Sequence, residues 1–243
     1  MIYNGVDLHS VHPALSIEKE IPPGAAARKL TTIPGKDGER FVSAALAQDE
    51  YRVRVNIACR TKRDAWAVRA LLAAWACSSD RPAPLVPTHW PQVHYMAICK
   101  EVSPPEFVFG FATVTVSFAL LRAVAVDNHV STASRQRECG MSYTGSQPAR
   151  PRIIVQLAAA AGAVTLCLDK QRFFRLLPAE PYAAGTTITI DLQERTVEVD
   201  GQPALTDVSW AESTWRPDIR TGWHTISTDA QATLRAEWRN EWQ

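Results

Sequence analysis

Residues 51–77 read YRVRVNIACR and then TKRDAWAVRALLAAWAC. In the first part Tyr51, Val53, Val55, Ile57 and Cys59 alternate with Arg52, Arg54, Asn56 and Arg60, the period of two that gives a strand one apolar and one polar face. In the second part the period lengthens. Thr61 is placed to cap a helix, and Asp64 falls in the first turn, where the helix dipole favours negative charge. At about 100° per residue, Ala65, Val68, Leu71, Leu72 and Trp75 share one face and form an ordinary core stripe. Trp66, Ala70, Ala73 and Cys77 share the opposite face, flanked by Ala67 and Ala74, and beyond the first turn only Arg69 is charged. A helix apolar nearly all round is covered on both sides, either by more of its own chain or by a neighbouring subunit.

Working outward, alternation and turn signals predict strands near 2–8, 15–21, 28–33, 94–102 and 107–121, so the first half is β-rich with a single helix. Pro34-Gly35-Lys36-Asp37-Gly38 separates two candidate strands, and Asp-Gly tolerates the positive φ of a tight hairpin. Pro82, Pro84, Pro87 and Pro91 rule out regular sheet between 82 and 91 and predict an extended connection. From 123 to about 150 the chain turns polar and loses its period. Strands are predicted again near 152–158, 163–169, 172–177, 186–192, 195–200, 223–228 and 231–239, a run of short strands that points to a β-sandwich. The expected organisation is a first domain over 1–122, a junction over 123–144 and a second domain over 145–243.

The composition narrows the function. Lys and Arg number 26 against 25 Asp and Glu, so no global field draws the chain to nucleic acid or an anionic membrane. The apolar runs fall short of the ~20 residues of a membrane span. The opening MIYNGVDLHS lacks the basic and apolar regions of a secretion signal, so synthesis and folding in a cytoplasm are expected. Cys59, Cys77, Cys99, Cys139 and Cys167 are widely spaced with no CxxC pair, and no two histidines stand at i, i+4 on a helix. The expectation is free thiols and no metal.

Nucleotide-binding and acyl-transfer signatures are absent, and the chain is expected to have no catalytic residues and no cofactor. Asp191, Glu194, Glu198 and Asp200 could be a carboxylate set for glycoside cleavage, but read more simply as turn and solvent-face charges. Tryptophans are numerous, at 66, 75, 90, 210, 215, 223, 238 and 242. The favoured reading is core or interface packing, and the rival is sugar stacking by exposed indoles of the second domain.

Seven stretches in order resemble the distal tail protein (Dit) family of long-tailed phages: IYNGVDL, IPGKDGER, YRVRVNIACR with its helix, HYMAICKEV with FATVTVSFALL, YTGSQPARPRIIV, ITIDLQERTVEVDG and RTGWHTIS. In the last, His224 stands where the family often has Asn. The resemblance implies a mainly β fold, with an N-terminal ring-forming β-sandwich carrying one helix and a C-terminal galectin-like β-sandwich. It further implies a virion structural protein at the tail tip, a hub ring linking the tail tube to the host-recognition apparatus. The implied partners are other copies of itself in a homohexameric ring, the tail tube protein, a tail-tip or fibre protein, and the tape measure protein. DNA would pass through without being specifically bound, and no membrane is involved. For the two-sided helix the resemblance implies that Trp66, Ala70 and Ala73 meet a neighbouring subunit. The rival readings are a carbohydrate-binding module acting through the C-terminal sandwich and a tail-tip enzyme that cuts polysaccharide.

Overall fold

The fold comes from a computed structural model, in which the described residues are 1–23, 26–32, 39–46, 50–108 and 110–243; for 26–32 and 39–46 only the backbone is described. The chain divides between Ala125 and Val126 into two compact units. Both are mainly β.

In the first unit one antiparallel sheet runs Val6–Asp7, Ile2–Tyr3, Ala83–Val86, Val93–Val102, Phe111–Leu120, Glu50–Ala58, Leu15–Ile21. The expected strand, Glu50–Ala58, lies between Phe111–Leu120 and the edge strand Leu15–Ile21. Val55 pairs with Val114, Val53 with Val116 and Tyr51 with Phe118, and all six are buried on one face. Removing a Val or Phe side chain from water contributes about 1.5–3 kcal/mol each, so this face fixes the register. Arg52 and Arg54 stand exposed on the other face, where the Thr113 hydroxyl donates to Asn56 Oδ1 at 3.0 Å.

The helix spans Lys62–Ala76, and the Thr61 hydroxyl accepts from the Asp64 N–H at 3.2 Å, the cap expected from sequence. It lies on the apolar face through Ala65, Val68, Leu72 and Trp75. The Trp75 ring meets Tyr3 edge-on at 5.9 Å and Phe118 at 6.2 Å, and its N–H donates to the Val6 carbonyl at 3.0 Å. Leu71, assigned to this stripe, is instead 47% exposed, because the buried arc is narrower than the apolar one.

Several strands differ from expectation. Residues 2–8 form a hairpin, Ile2–Tyr3 against Val6–Asp7, closed by Asn4 and Gly5 at φ 49° and 79°, the positive angles Asn-Gly accepts in a two-residue turn. The four-residue helix Leu8–Val11 follows. The proline-rich stretch holds the strand Ala83–Val86, with Pro84 opposite Met96. Pro84 is tolerated there because the sheet uses its carbonyl, which accepts from the Asn4 N–H at 3.0 Å. Ala26–Thr32 and Glu39–Leu46 pair as a two-stranded sheet. The Pro34–Gly38 turn read between them lies outside the described residues.

The second unit is a sandwich. Its six-stranded sheet runs Ser131–Gln136, Ala232–Trp238, Arg152–Leu157, Thr187–Asp191, Thr196–Val199, Gln202–Pro203. The four-stranded sheet runs Glu138–Tyr143, Gly222–Thr228, Val164–Leu168, Gln171–Leu176. Ile153, Val155, Ile188, Ile190 and Leu234 from the first share one core with Met141, Leu166, Phe174 and Ile226 from the second. The stretch set aside as a junction, 123–144, supplies a strand to each sheet. The chain crosses between them at Arg137 (φ 58°), whose N–H donates to the Ala232 carbonyl and whose carbonyl accepts from the Thr228 N–H, both at 2.9 Å.

Tyr143 closes one end. Its hydroxyl donates to the Gln147 carbonyl at 2.6 Å and accepts from the Glu241 N–H at 3.2 Å. Gly145 makes room for this, since a Cβ there would stand 2.3 Å from the hydroxyl and 2.5 Å from the Glu241 carbonyl oxygen.

Candidate functional site

The helix presents its second face to water. Trp66 is 53% exposed; Ala67, Ala70, Leu71, Ala74 and Cys77 are exposed and Ala73 half-buried. Of the three residues expected at a subunit contact, Trp66 and Ala70 therefore lie open, while Ala73 sits at the margin. Arg69 does not interrupt this surface. Its guanidinium donates to the backbone carbonyls of Val102 and Ser103 and lies 5.8 Å from the centre of the Trp66 ring, which spends its charge on the chain itself. A groove beside the helix is lined by His12, Cys59, Asp64, Ala67, Val68 and Gly110.

Several ionisable groups of the second unit are built into structure. Asp191 Oδ1 accepts from the N–H groups of Gln193 and Glu194 at 2.9 and 2.8 Å, and Asp200 Oδ1 accepts from the Thr187 N–H at 2.8 Å. These acids fasten turns, the simpler of the two readings. Glu212 lies between Arg175 and Arg172, each at 2.8 Å, and the hydrogen bond from Arg175 is the main reason its carboxyl sits below its ordinary range.

His224 and Asp169 look at first like an acid–base pair, with Nδ1 and Oδ2 2.8 Å apart. The other ring nitrogen, Nε2, lies 2.7 Å from the Arg220 carbonyl. Both nitrogens thus face acceptors, and the imidazole satisfies both only as the charged double donor. Burial lowers its pKa, but the hydrogen bonds to Asp169 and the Arg220 carbonyl outweigh that and leave it raised. With no lone pair free, this ring serves as a clip and not as a base.

All five cysteines are free thiols. Burial, reinforced by a hydrogen bond with Cys77, pushes the Cys99 thiol up to about 12. Among the described residues no group of three or more His, Cys, Asp or Glu is arranged to hold a metal ion.

The tryptophans divide. Trp75 and Trp238 are buried, and Trp215 packs edge-on against Phe174 at 4.9 Å. Trp210 and Trp223 stand open at 63% and 71% exposure, so core packing does not account for them. Trp223 was legible as outward-facing, because it shares the parity of Thr225 and Ser227 and not that of buried Ile226. Gly140, which makes room for its ring, carried no such signal.

Residues 144–242 match the family described as siphovirus-type tail component, C-terminal domain. The whole chain resembles the crystal structure of phage SPP1 Dit (gp 19.1), with a TM-score of 0.80 at 14% identity, covering 100% of this chain and 98% of that one. The phage p2 baseplate in its activated conformation with calcium gives 0.47 at 8% identity, covering 93% and 90%. Its strontium form gives 0.47 at 9% identity with the same coverage. No curated protein sequence matches the chain. Residues 144–242 thus match a siphovirus-type tail-component domain, and the chain as a whole has the fold of SPP1 Dit.

Proposed function

We propose that the protein forms a hub ring at the distal end of a phage tail tube and joins the tube to the tip or host-recognition apparatus. The tail-component domain matched at residues 144–242 supports a structural role in a phage tail. The observation that supports the reading most is the match along the full chain with SPP1 Dit, a protein described as a paradigm of hub adsorption apparatus in phages infecting Gram-positive hosts.

The ring itself is argued from the helix. Its water-facing side carries Trp66, Ala67, Ala70, Leu71 and Ala74, and a closed ring gives every copy of such a face a partner. The partners are then further copies of the chain, six in all by family resemblance, with the tail tube protein above and a tail-tip or fibre protein below. The tape measure protein and the genome pass through. A chain with 26 basic and 25 acidic residues has a net charge of only +1, too little to hold DNA by itself. Native mass spectrometry of the purified protein, with immunogold labelling of virions, tests the reading. A closed oligomer together with label at the tail tip is expected. A chain that stays monomeric at micromolar concentration and is missing from the tip defeats it.

A further inference from the structure

Trp223 lies on the outer face of the four-stranded sheet, in the strand Gly222–Thr228 and opposite Ser142 of the edge strand Glu138–Tyr143. Its ring leans diagonally across the edge strand onto Gly140. A Cβ at Gly140 would stand 2.2 Å from Trp223 Cζ2 and 2.6 Å from Cη2, closer than two carbons can approach. The six-membered ring therefore occupies the space that glycine leaves, resting on backbone on one side, and the residue is still 71% exposed.

The seat is held in place from behind. His224, the next residue, is clipped to Asp169 and to the Arg220 carbonyl. The Thr225 N–H donates to Asp169 Oδ1 and the Asp169 N–H to the Thr225 carbonyl, both at 2.8 Å. Side chains sharing the outer face of these two strands are polar: Glu138 and Ser142, with Thr225 and Ser227. Among the described residues of the two strands, Trp223 is the only large apolar side chain that is exposed.

We propose that this surface is a saccharide-binding site, with Trp223 as the stacking platform for one hexopyranose residue. The inference does not depend on the hub reading. A protein interface buries about 1,000 Å² or more around a packed apolar centre, whereas here one planar apolar surface, the size of a single sugar ring, is set among hydroxyls and a carboxylate. A pyranose has the matching form, an apolar C–H face bordered by hydroxyl groups that exchange hydrogen bonds with such side chains. Gly140 is a positioning residue, since its lack of a side chain is what lets the indole lie down.

The test uses the full-length chain on a printed array of hexopyranosides and N-acetylhexosaminides, with free monosaccharide as competitor, and the same for Trp223→Ala and Gly140→Ala. Competable binding is expected. Trp223→Ala should weaken it about tenfold or more. Gly140→Ala, which keeps the indole but lifts it off its seat, should weaken it as well while leaving the thermal melt unchanged. Absence of binding by the unaltered protein overturns the proposal, as does binding that survives Trp223→Ala. A change in oligomeric mass on Trp223→Ala with no effect on glycan binding also overturns it, and assigns the face to a protein contact.

Discussion

The Tyr51 hydroxyl donates to Glu20 Oε2 at 2.6 Å, joining two strands whose contact residues lie 31 positions apart in sequence. The same carboxylate accepts from the Thr88 N–H at 3.1 Å and meets His89 Nδ1 at 2.9 Å, so it also anchors the proline-rich connection. The Glu20 side chain is only 6% exposed. Burial pushes its pKa up, but the bonds from Thr88, Tyr51 and His89 outweigh that and hold it below the ordinary value of 4.5. A carboxylate with a depressed folded pKa contributes stability that is present above its unfolded pKa and lost as pH falls through the folded one. Glu20→Gln is expected to cost about 1–3 kcal/mol at neutral pH and to flatten the acid side of the stability profile below pH 4.5. Urea titrations from pH 3 to pH 7 measure both effects.

The two faces of the helix should respond differently. Trp66→Glu places a charge on the open face and is expected to abolish or strongly weaken assembly while the protomer stays folded. Leu72→Ala empties a fully buried position and should cost about 2–5 kcal/mol whatever the oligomeric state. Sedimentation velocity and thermal melts on both variants distinguish these outcomes. An intact ring with Trp66→Glu removes the helix from the interface.

His224 gives a pH response of the opposite sign. Its folded pKa is raised above the ordinary value of 6.5, so the stability of its clip is fully present below that value and is lost as pH rises through the folded pKa. His224→Asn should remove this step. Melting temperatures from pH 5 to pH 9 are expected to fall on the alkaline side for the unaltered protein and to lack that component in the variant.

The C-terminal sandwich should fold by itself. Its core cluster draws on residues 139–238 alone, and Ser131–Gln136 and Glu138–Tyr143 complete its two sheets. A fragment of residues 126–243 is expected to melt cooperatively. One that begins at 145 lacks both strands and is expected to aggregate, because it exposes the sides of Ala232–Trp238 and Gly222–Thr228. Calorimetry and light scattering on the two fragments decide it.

What the sequence made legible follows from how much apolar contrast each segment carries. Glu50–Ala58 and the helix stood out because large apolar residues alternate with charged ones, and most strands of the second unit did so for the same reason. Ser131–Gln136 was not legible, since STASRQ is an edge strand with no large apolar residue to mark its inner side. Glu138–Tyr143 does alternate, with Cys139, Met141 and Tyr143 buried, but it adjoins the polar stretch that hid it. Ala83–Val86 was masked by Pro84, whose position shows that a strand tolerates proline where its carbonyl is what the sheet needs. Trp66 was legible because helical geometry alone gives its direction. The Trp223 seat depends on a glycine in another strand, a relation that only the paired register brings about.

Tyr143 bonds both the Gln147 carbonyl and the Glu241 N–H, so one phenol ties the turn after Glu138–Tyr143 to the C-terminal residues. Gly145 sits against that phenol on one side and the Glu241 carbonyl on the other. Neither obstacle can swing away, unlike the open indole over Gly140. In the space of sequences available to this protein, position 145 is therefore a bottleneck one methyl group wide. A saturation library there, selected for folded protein, is expected to return glycine, while the same library at 140 returns small residues as well.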